Sequence, residues 1–395
     1  MKTSNHNQLT DFSLVLGGPL YQLYLRTRLA KPPLELLHRR IISFVLITWA
    51  PLWLLTVIGG HTLSGVTVPF LFDLDAHARF LASLPLLIAA ELFVHQRKKT
   101  AVEQFTDRGL IAPEDLPRFE AAIASSTRLR NSVIIEVLLL VIAFIGGHWL
   151  WNNRVALRVA TWYGKHAIDG TVDLMLAGYW YAFVSLPILR FIFLRWYFRL
   201  FIWYRFAWQV ARLPLHLNTL HPDRAGGLGF LNRSVFAFAP VLLAHAVFLA
   251  AAIANRIWND GAQLSAFKLE VAGILIFLLL LVLVPLTFFS SQLLYAKRRA
   301  LREYGNVASI YVRDFREKWL EGQNPEGEQL LGTGDIQSLA DLGNSFAVTG
   351  ETRLVPFSKE DVFSLAILLA VPLLPLLLFV FPLEEMIDRI VGLLL

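Results

Sequence analysis

Cysteine is absent from the 395 residues, which removes disulfides, thiolate nucleophiles, iron–sulfur clusters and cysteine-ligated zinc together. Charge is scarce as well: 17% of residues are Asp, Glu, Lys or Arg against 56% hydrophobic ones, a balance outside the range of soluble globular domains. Residues 1–35 lack the order of basic start, apolar run and small-residue cleavage site, so no cleaved signal peptide is expected. No Ser/His/Asp grouping, Gly-x-Ser-x-Gly, paired-carboxylate motif or His-Glu-x-x-His occurs. Neither an enzyme nor a cofactor or metal site is therefore expected.

What the chain has in quantity is long apolar runs. Crossing a hydrocarbon layer of about 30 Å takes about 20 mostly apolar residues at about 1.5 Å each. Seven stretches meet that demand: 41–59, 78–95, 132–151, 173–193, 234–254, 271–293 and 362–382. The second is short and contains Glu91, so a re-entrant or core helix is its alternative. Most of the 36 basic residues fall in alternate connections, which the positive-inside rule places in the cytoplasm. The expectation is an all-α polytopic membrane protein with seven spans, amino terminus inside and carboxyl terminus outside. Residues 1–40 form a cytoplasmic or interfacial segment, and 41–395 form the transmembrane domain with cytoplasmic helical insertions at 96–131, 194–233 and 294–361.

Within those insertions, residues 12–30 suggest a helix in the headgroup plane. Residues 97–130 suggest a helical hairpin turning at Ala112 to Asp115. Arg190, Arg195, Arg199, Arg205 and Arg212 are interleaved with Trp196, Tyr197, Phe198, Trp203, Tyr204, Phe206 and Trp208. They read as an aromatic belt with snorkelling arginines, and their place directly after a span argues against a nucleic-acid surface. The sixth span is expected to run on through residues 295–320. Asp335 is expected to cap a helix through Phe346, and Ser358 with Asp361 to form a capping box opening the last span.

Ionisable groups inside spans mark functional sites by default. They are Glu91, Glu136 and His245. Their structural alternatives are pairs with Arg97 or Lys98, with Arg130, and with a carbonyl freed by Pro240. His61, Asp73, Asp75, His77, His148 and His166 fall on the expected outer side without ligand spacing, and are read as polar loops. Prolines 51, 85, 187, 240, 285, 372 and 375 interrupt spans. Each removes a backbone donor, either as ordinary membrane-helix kinks or as breaks lining a hydrated path.

The most distinctive run is His221-Pro222-Asp223-Arg224-Ala225-Gly226-Gly227-Leu228-Gly229-Phe230-Leu231. A J-domain would need a soluble hairpin around His-Pro-Asp, and neither a Walker loop nor a dinucleotide fingerprint fits. Two readings remain: a tight turn capped by Asp223, or Gly226, Gly227 and Gly229 exposing amides to an anion beside Arg224. The last span is almost wholly apolar and precedes Glu384 and Glu385. Copies meeting around an axis would form an apolar constriction above an acidic ring.

The run 221–231, with Asp335 to Leu342 and Val355-Pro356-Phe357, resembles uncharacterised bacterial multi-pass membrane proteins, which implies the bacterial inner membrane. The topology resembles insect chemoreceptor-like seven-transmembrane ion channels. That resemblance implies a homotetramer in lipid with a cation pore along the last helix, lined by Ser364, Leu368, Val371 and Pro375 and ending at Glu384 and Glu385. A homo-oligomeric cation channel is therefore the leading expectation. The alternatives are a secondary transporter using Glu91, Glu136 and His245, and a non-conducting sensor or scaffold.

Overall fold

A computed structural model describes residues 12–150, 160–166, 172–322 and 329–379. Six helices in it are long and apolar enough to cross a membrane: α2 (Leu37–Ile58), α3 (Leu74–Asp107), α6 (Leu176–Val210), α7 (Phe230–Asp260), α8 (Leu264–Thr287) and α11 (Lys359–Phe379). The chain is thus a polytopic all-α protein. The count reaches seven if α4 (Leu116–Arg130) and α5 (Val133–Leu150), bent by 45° at their junction, are taken as one span. Shorter helices complete it: α1 (Pro19–Arg26), α9 (Ser290–Phe315) and α10 (Asp335–Gly350). A two-stranded antiparallel hairpin pairs β1 (Gly164–His166) with β2 (Val172–Leu174).

Half or more of the apolar stretch of α3, α6 and α7 is buried (50, 56 and 61%), against 17, 28 and 17% for α2, α8 and α11. The first three form the interior of the bundle and the others its rim. Because hydrocarbon satisfies no backbone group, side chains tie the interior helices to neighbouring carbonyls. Ser83 donates to Ala244 O at 2.9 Å, Ser185 to Thr48 O at 2.7 Å, and Trp196 Nε1 to Leu87 O at 3.0 Å.

The prolines act on local geometry. Pro85 and Pro187 each open an α-helical segment that follows a π-helical turn, Ala78–Ser83 in α3 and Tyr181–Ser185 in α6. A proline ring crowds the carbonyl four residues back and donates nothing to it, so the preceding turn widens. The two π turns are linked by Arg79 Nη1 donating to Tyr181 Oη at 3.0 Å. Gly178 lets α6 approach the hairpin, since a Cβ there would lie 1.9 Å from Tyr163 O.

The connections sort to two ends. At one, here the basic end, His216 N bonds Leu110 O, Arg353 N bonds Arg224 O, and Arg130 donates to Ser13 O. At the far end Trp162 meets Asp73 and Tyr181, and Trp258 meets Phe379.

Several expectations change. Part of the segment 12–30 packs against the bundle: Phe12, Leu14, Val15 and Tyr24 are buried, with the Phe12 and Phe206 ring centres 4.9 Å apart and the rings tilted. The sixth span does not run on unbroken, because helix α8 ends after Pro285 and α9 starts anew at Ser290. Asp335 does not cap α10: its carboxylate accepts from Trp319 Nε1 and Lys318 Nζ, and those bonds hold its pKa below the usual range. The capping box of Ser358 and Asp361 is present as expected.

Candidate functional site

Charge buried among apolar helices survives only when paired, so the chemistry of the interior follows from its ion pairs. Glu91 on α3 is the hub. Its Oε2 accepts from Arg40 Nη1 at 2.9 Å and its Oε1 from Arg199 Nη2 at 2.9 Å, with Arg195 Nη1 at 3.5 Å. Glu136 on α5 takes Arg195 Nε at 3.1 Å and the Leu20 amide at 3.2 Å on Oε1. Arg40 spends a further donor on Leu34 O. One cluster of five buried ions thereby ties α2, α3, α5, α6 and the amino-terminal segment together, with three guanidinium groups against two carboxylates.

These partners overturn the expected pairs. Glu91 meets neither Arg97 nor Lys98, and Glu136 does not pair with Arg130, which donates instead to Ser13 O and Asn131 Oδ1. Arg195 and Arg199 do not snorkel outward. They lie one turn apart on the face of α6 turned to α3, and an aromatic surface all round the helix left that face unmarked in the sequence.

One turn beyond the cluster, His95 Nδ1 meets Ser13 Oγ at 3.0 Å. Lys98, missed as an interior group, is fully buried. Its Nζ donates to Ser234 Oγ at 3.1 Å and lies 3.6 Å from the Trp203 ring centre and 4.6 Å from that of Phe238. No carboxylate pairs with it among the described residues. Positions 91, 94 and 98 share one helix face, which is the signal that separates Lys98 from its basic neighbours Arg97 and Lys99.

His245 on α7 lies beside Tyr197, with Nε2 2.8 Å from the phenol oxygen and Nδ1 2.7 Å from Val241 O. A carbonyl only accepts, so Nδ1 carries the proton and the phenol donates to Nε2. The carbonyl is that of Val241, one turn back, rather than one freed by Pro240.

At the far end the acidic residues are structural. Asp73 caps the first turn of α3 through Ala76 N and accepts from Trp162 Nε1 at 2.8 Å, and Asp75 pairs with Arg79. His77 accepts from Trp49 Nε1. His61 joins the polypeptide turn before α3 through its own backbone. No group of three potential metal ligands occurs among the described residues. The side chains of His148 and His166 lie outside them.

At the basic end, the loop motif resolves in favour of the capped turn. Asp223 accepts from the amides of Ala225 (2.8 Å), Gly227 (3.1 Å) and Gly229 (2.7 Å). Gly226 and Gly227 adopt φ of 65° and 94°, and Arg224 turns away to Glu351. The amides of Gly227 and Gly229 are therefore spent on a carboxylate of the chain itself, not offered to an anion. Burial works against the Asp223 charge, but the amides of Ala225, Gly229 and Gly227 outweigh it and hold the pKa below its usual value. Arg353 Nη2 closes the turn on Asp223 O at 2.7 Å, and His221 Nδ1 lies 3.0 Å from Oδ1. Beside this turn opens a cavity of about 730 Å³ whose lining includes Arg97, Arg108, Arg233, Arg353 and Ser234.

On α11, Leu365, Leu369 and Leu376 pack inward, while Ser364, Val371 and Pro375 are exposed and Leu368 is half-buried. Ser364 Oγ is occupied by Glu360 O at 2.7 Å. Glu384 and Glu385 lie outside the described residues. No family model matches the chain, and comparisons with curated proteins and with solved structures returned no match.

Proposed function

We propose that this protein is a seven-pass carrier of an anionic solute in the bacterial inner membrane, with its basic end and amino terminus in the cytoplasm and its carboxyl terminus outside. In this reading α5 is the seventh crossing, since Glu136 near its start lies at the basic end and Trp162 beyond it lies at the far end. The basic connections then face the cytoplasm, as the positive-inside rule demands.

The observation that carries the proposal is the charge imbalance of the interior. Around the Glu91 hub Arg40, Arg195 and Arg199 stand against Glu91 and Glu136, with the amine of Lys98 beyond them, while Arg79 at the far end is matched by Asp75 and Asp73. In a low-dielectric interior an excess of positive charge attracts a compensating anion and repels cations. Polar side chains on α3 run from Arg79 to Lys98, about 28 Å at about 1.5 Å per residue, which matches the hydrocarbon thickness. The π turns of α3 and α6 are the local widenings about which such a path would open.

Proteoliposomes test this. Uptake of radiolabelled phosphate, sulfate or chloride should saturate, and Lys98→Met should reduce it at least tenfold while the protein stays folded. Rubidium flux without flux of any of the three anions would overturn it.

The rim position of α11 favours a second reading, a homotetrameric cation channel with that helix around the axis. Its apolar stretch is 17% buried within one chain, which leaves Ser364, Val371 and Pro375 free to meet other copies. Averaged images of purified particles should then show fourfold symmetry, and Glu384→Gln with Glu385→Gln should alter cation selectivity. A monomer removes this reading and leaves the carrier standing.

A further inference from the structure

The cavity beside the His221 turn is lined by four guanidinium groups drawn from three parts of the chain. Arg97 comes from the last turns of α3, Arg108 from the residue after it, Arg233 from the first turn of α7 and Arg353 from the segment following α10. No carboxylate pairs with Arg97 or Arg233 among the described residues. Arg108 spends one donor on Gly227 O and stands 3.9 Å from Asp223. Arg353 spends Nη2 on Asp223 O, while its Nε is shielded from solvent and has no partner among the described residues. The one acidic side chain in the lining is Asp223, already held by three amides. The cavity therefore carries an excess of about three positive charges by formal count of these side chains.

Like charges from three segments repel one another, and while Arg108 and Arg353 are held by the Asp223 turn, no such contact draws in Arg97 or Arg233 among the described residues. Two of them, Arg97 and Arg233, are exposed and make no ion pair among the described residues, which leaves their donors open to a ligand. Guanidinium forks match tetrahedral oxyanions through paired N–H donors, and several forks around one cleft suit a group with two or more anionic oxygens. At about 730 Å³ the cavity has the size of small-molecule sites. Ser234 lies in its wall and accepts from Lys98, so the buried amine of the interior is one side chain away.

We propose that this cavity binds a phosphate group, with Arg97, Arg108, Arg233 and Arg353 as its donors. The inference rests on the carrier reading for its purpose but not for its existence. As a carrier the protein would load its solute here, at the cytoplasmic mouth of the positive interior. The same chemistry fits two sources: the phosphate of a free solute, or the headgroup of an anionic lipid reaching in from the bilayer surface.

The test uses the full chain. In detergent, calorimetric titration with inorganic phosphate reads the free source. In nanodiscs, retention of phosphatidic acid or phosphatidylglycerol against phosphatidylcholine, read by native mass spectrometry, reports the lipid. Arg97→Gln with Arg233→Gln should weaken whichever binds at least tenfold, while Arg26→Gln with Arg128→Gln, an equal loss of charge elsewhere, should leave it unchanged. Both variants must keep the melting temperature of the parent. Binding of neither probe, or binding equally weakened by both pairs, overturns the site. Phosphate binding without anion flux in proteoliposomes keeps the site and removes the carrier, and flux that survives the Arg97 and Arg233 changes does the reverse.

Discussion

Arg199 and Glu91 hold α6 to α3 through a contact of 2.9 Å between Nη2 and Oε1, with both side chains almost wholly removed from solvent. The same carboxylate takes Arg40 on its other oxygen, so removing it strands two guanidinium groups at once. Breaking a buried pair by deleting one partner costs about 3–5 kcal/mol. Glu91→Gln should therefore lower stability by about that amount in thermal or chemical denaturation in detergent, and Arg199→Gln should lower it by less than Glu91→Gln. A Glu91→Gln variant within about 1 kcal/mol of the parent would show that water, not the carboxylate, holds these arginines.

Lys98 poses the opposite case. Its amine has one hydroxyl and two aromatic faces for company, and replacing an unpaired buried polar group by an apolar side chain of similar volume is often neutral or stabilising. Lys98→Met should match or exceed the parent in melting temperature while impairing transport. A marked fall in stability would mean that Lys98 is a structural staple.

The Asp223 turn gives a pH signature. Its pKa is below the ordinary value, so the folded state binds the proton less readily than the unfolded chain. The stability this adds is complete above the ordinary carboxylate value of about 3.9 and is lost as pH falls through the lower folded value. The difference in stability between parent and Asp223→Asn should therefore be constant from about pH 7 to 5 and shrink in the acid range below about 3.9. Protection of the Gly229 amide against hydrogen exchange should follow the same course. A difference that grows toward acid would reverse the assignment.

Because the chain has no cysteine, single cysteines report topology without background. Arg128→Cys lies exposed at the basic end and Ser64→Cys lies exposed in the connection after α2. An impermeant maleimide should label Ser64→Cys in intact spheroplasts and Arg128→Cys only after permeabilisation. Labelling of both from one side would reject the proposed orientation.

The contrast between Arg195 and Arg205 shows where sequence reasoning stops. Both stand in an aromatic run without an apolar stripe, yet Arg195 turns inward to Glu136 and Glu91 while Arg205 reaches Ser125 on α4. Periodicity marks an inward face only when the outward face differs in polarity, and this helix is aromatic on every side. The capping box at Ser358 was legible because its donors and acceptors lie within four residues of one another. Asp335 was not, because its partners Lys318 and Trp319 come from the preceding helix.

The sequence alone determined the helical class, the run of apolar segments and the segregation of basic residues into alternate connections. Those are local quantities, set by the length and polarity of contiguous residues against the thickness of a bilayer. Only the tertiary structure decided that Glu91 belongs to Arg40 and Arg199, that Lys98 is enclosed by Ser234, Trp203 and Phe238, and that four arginines meet over the Asp223 turn. Charge pairing acts between helices distant in the chain, and the partner of each ion is fixed by which faces the packing brings together.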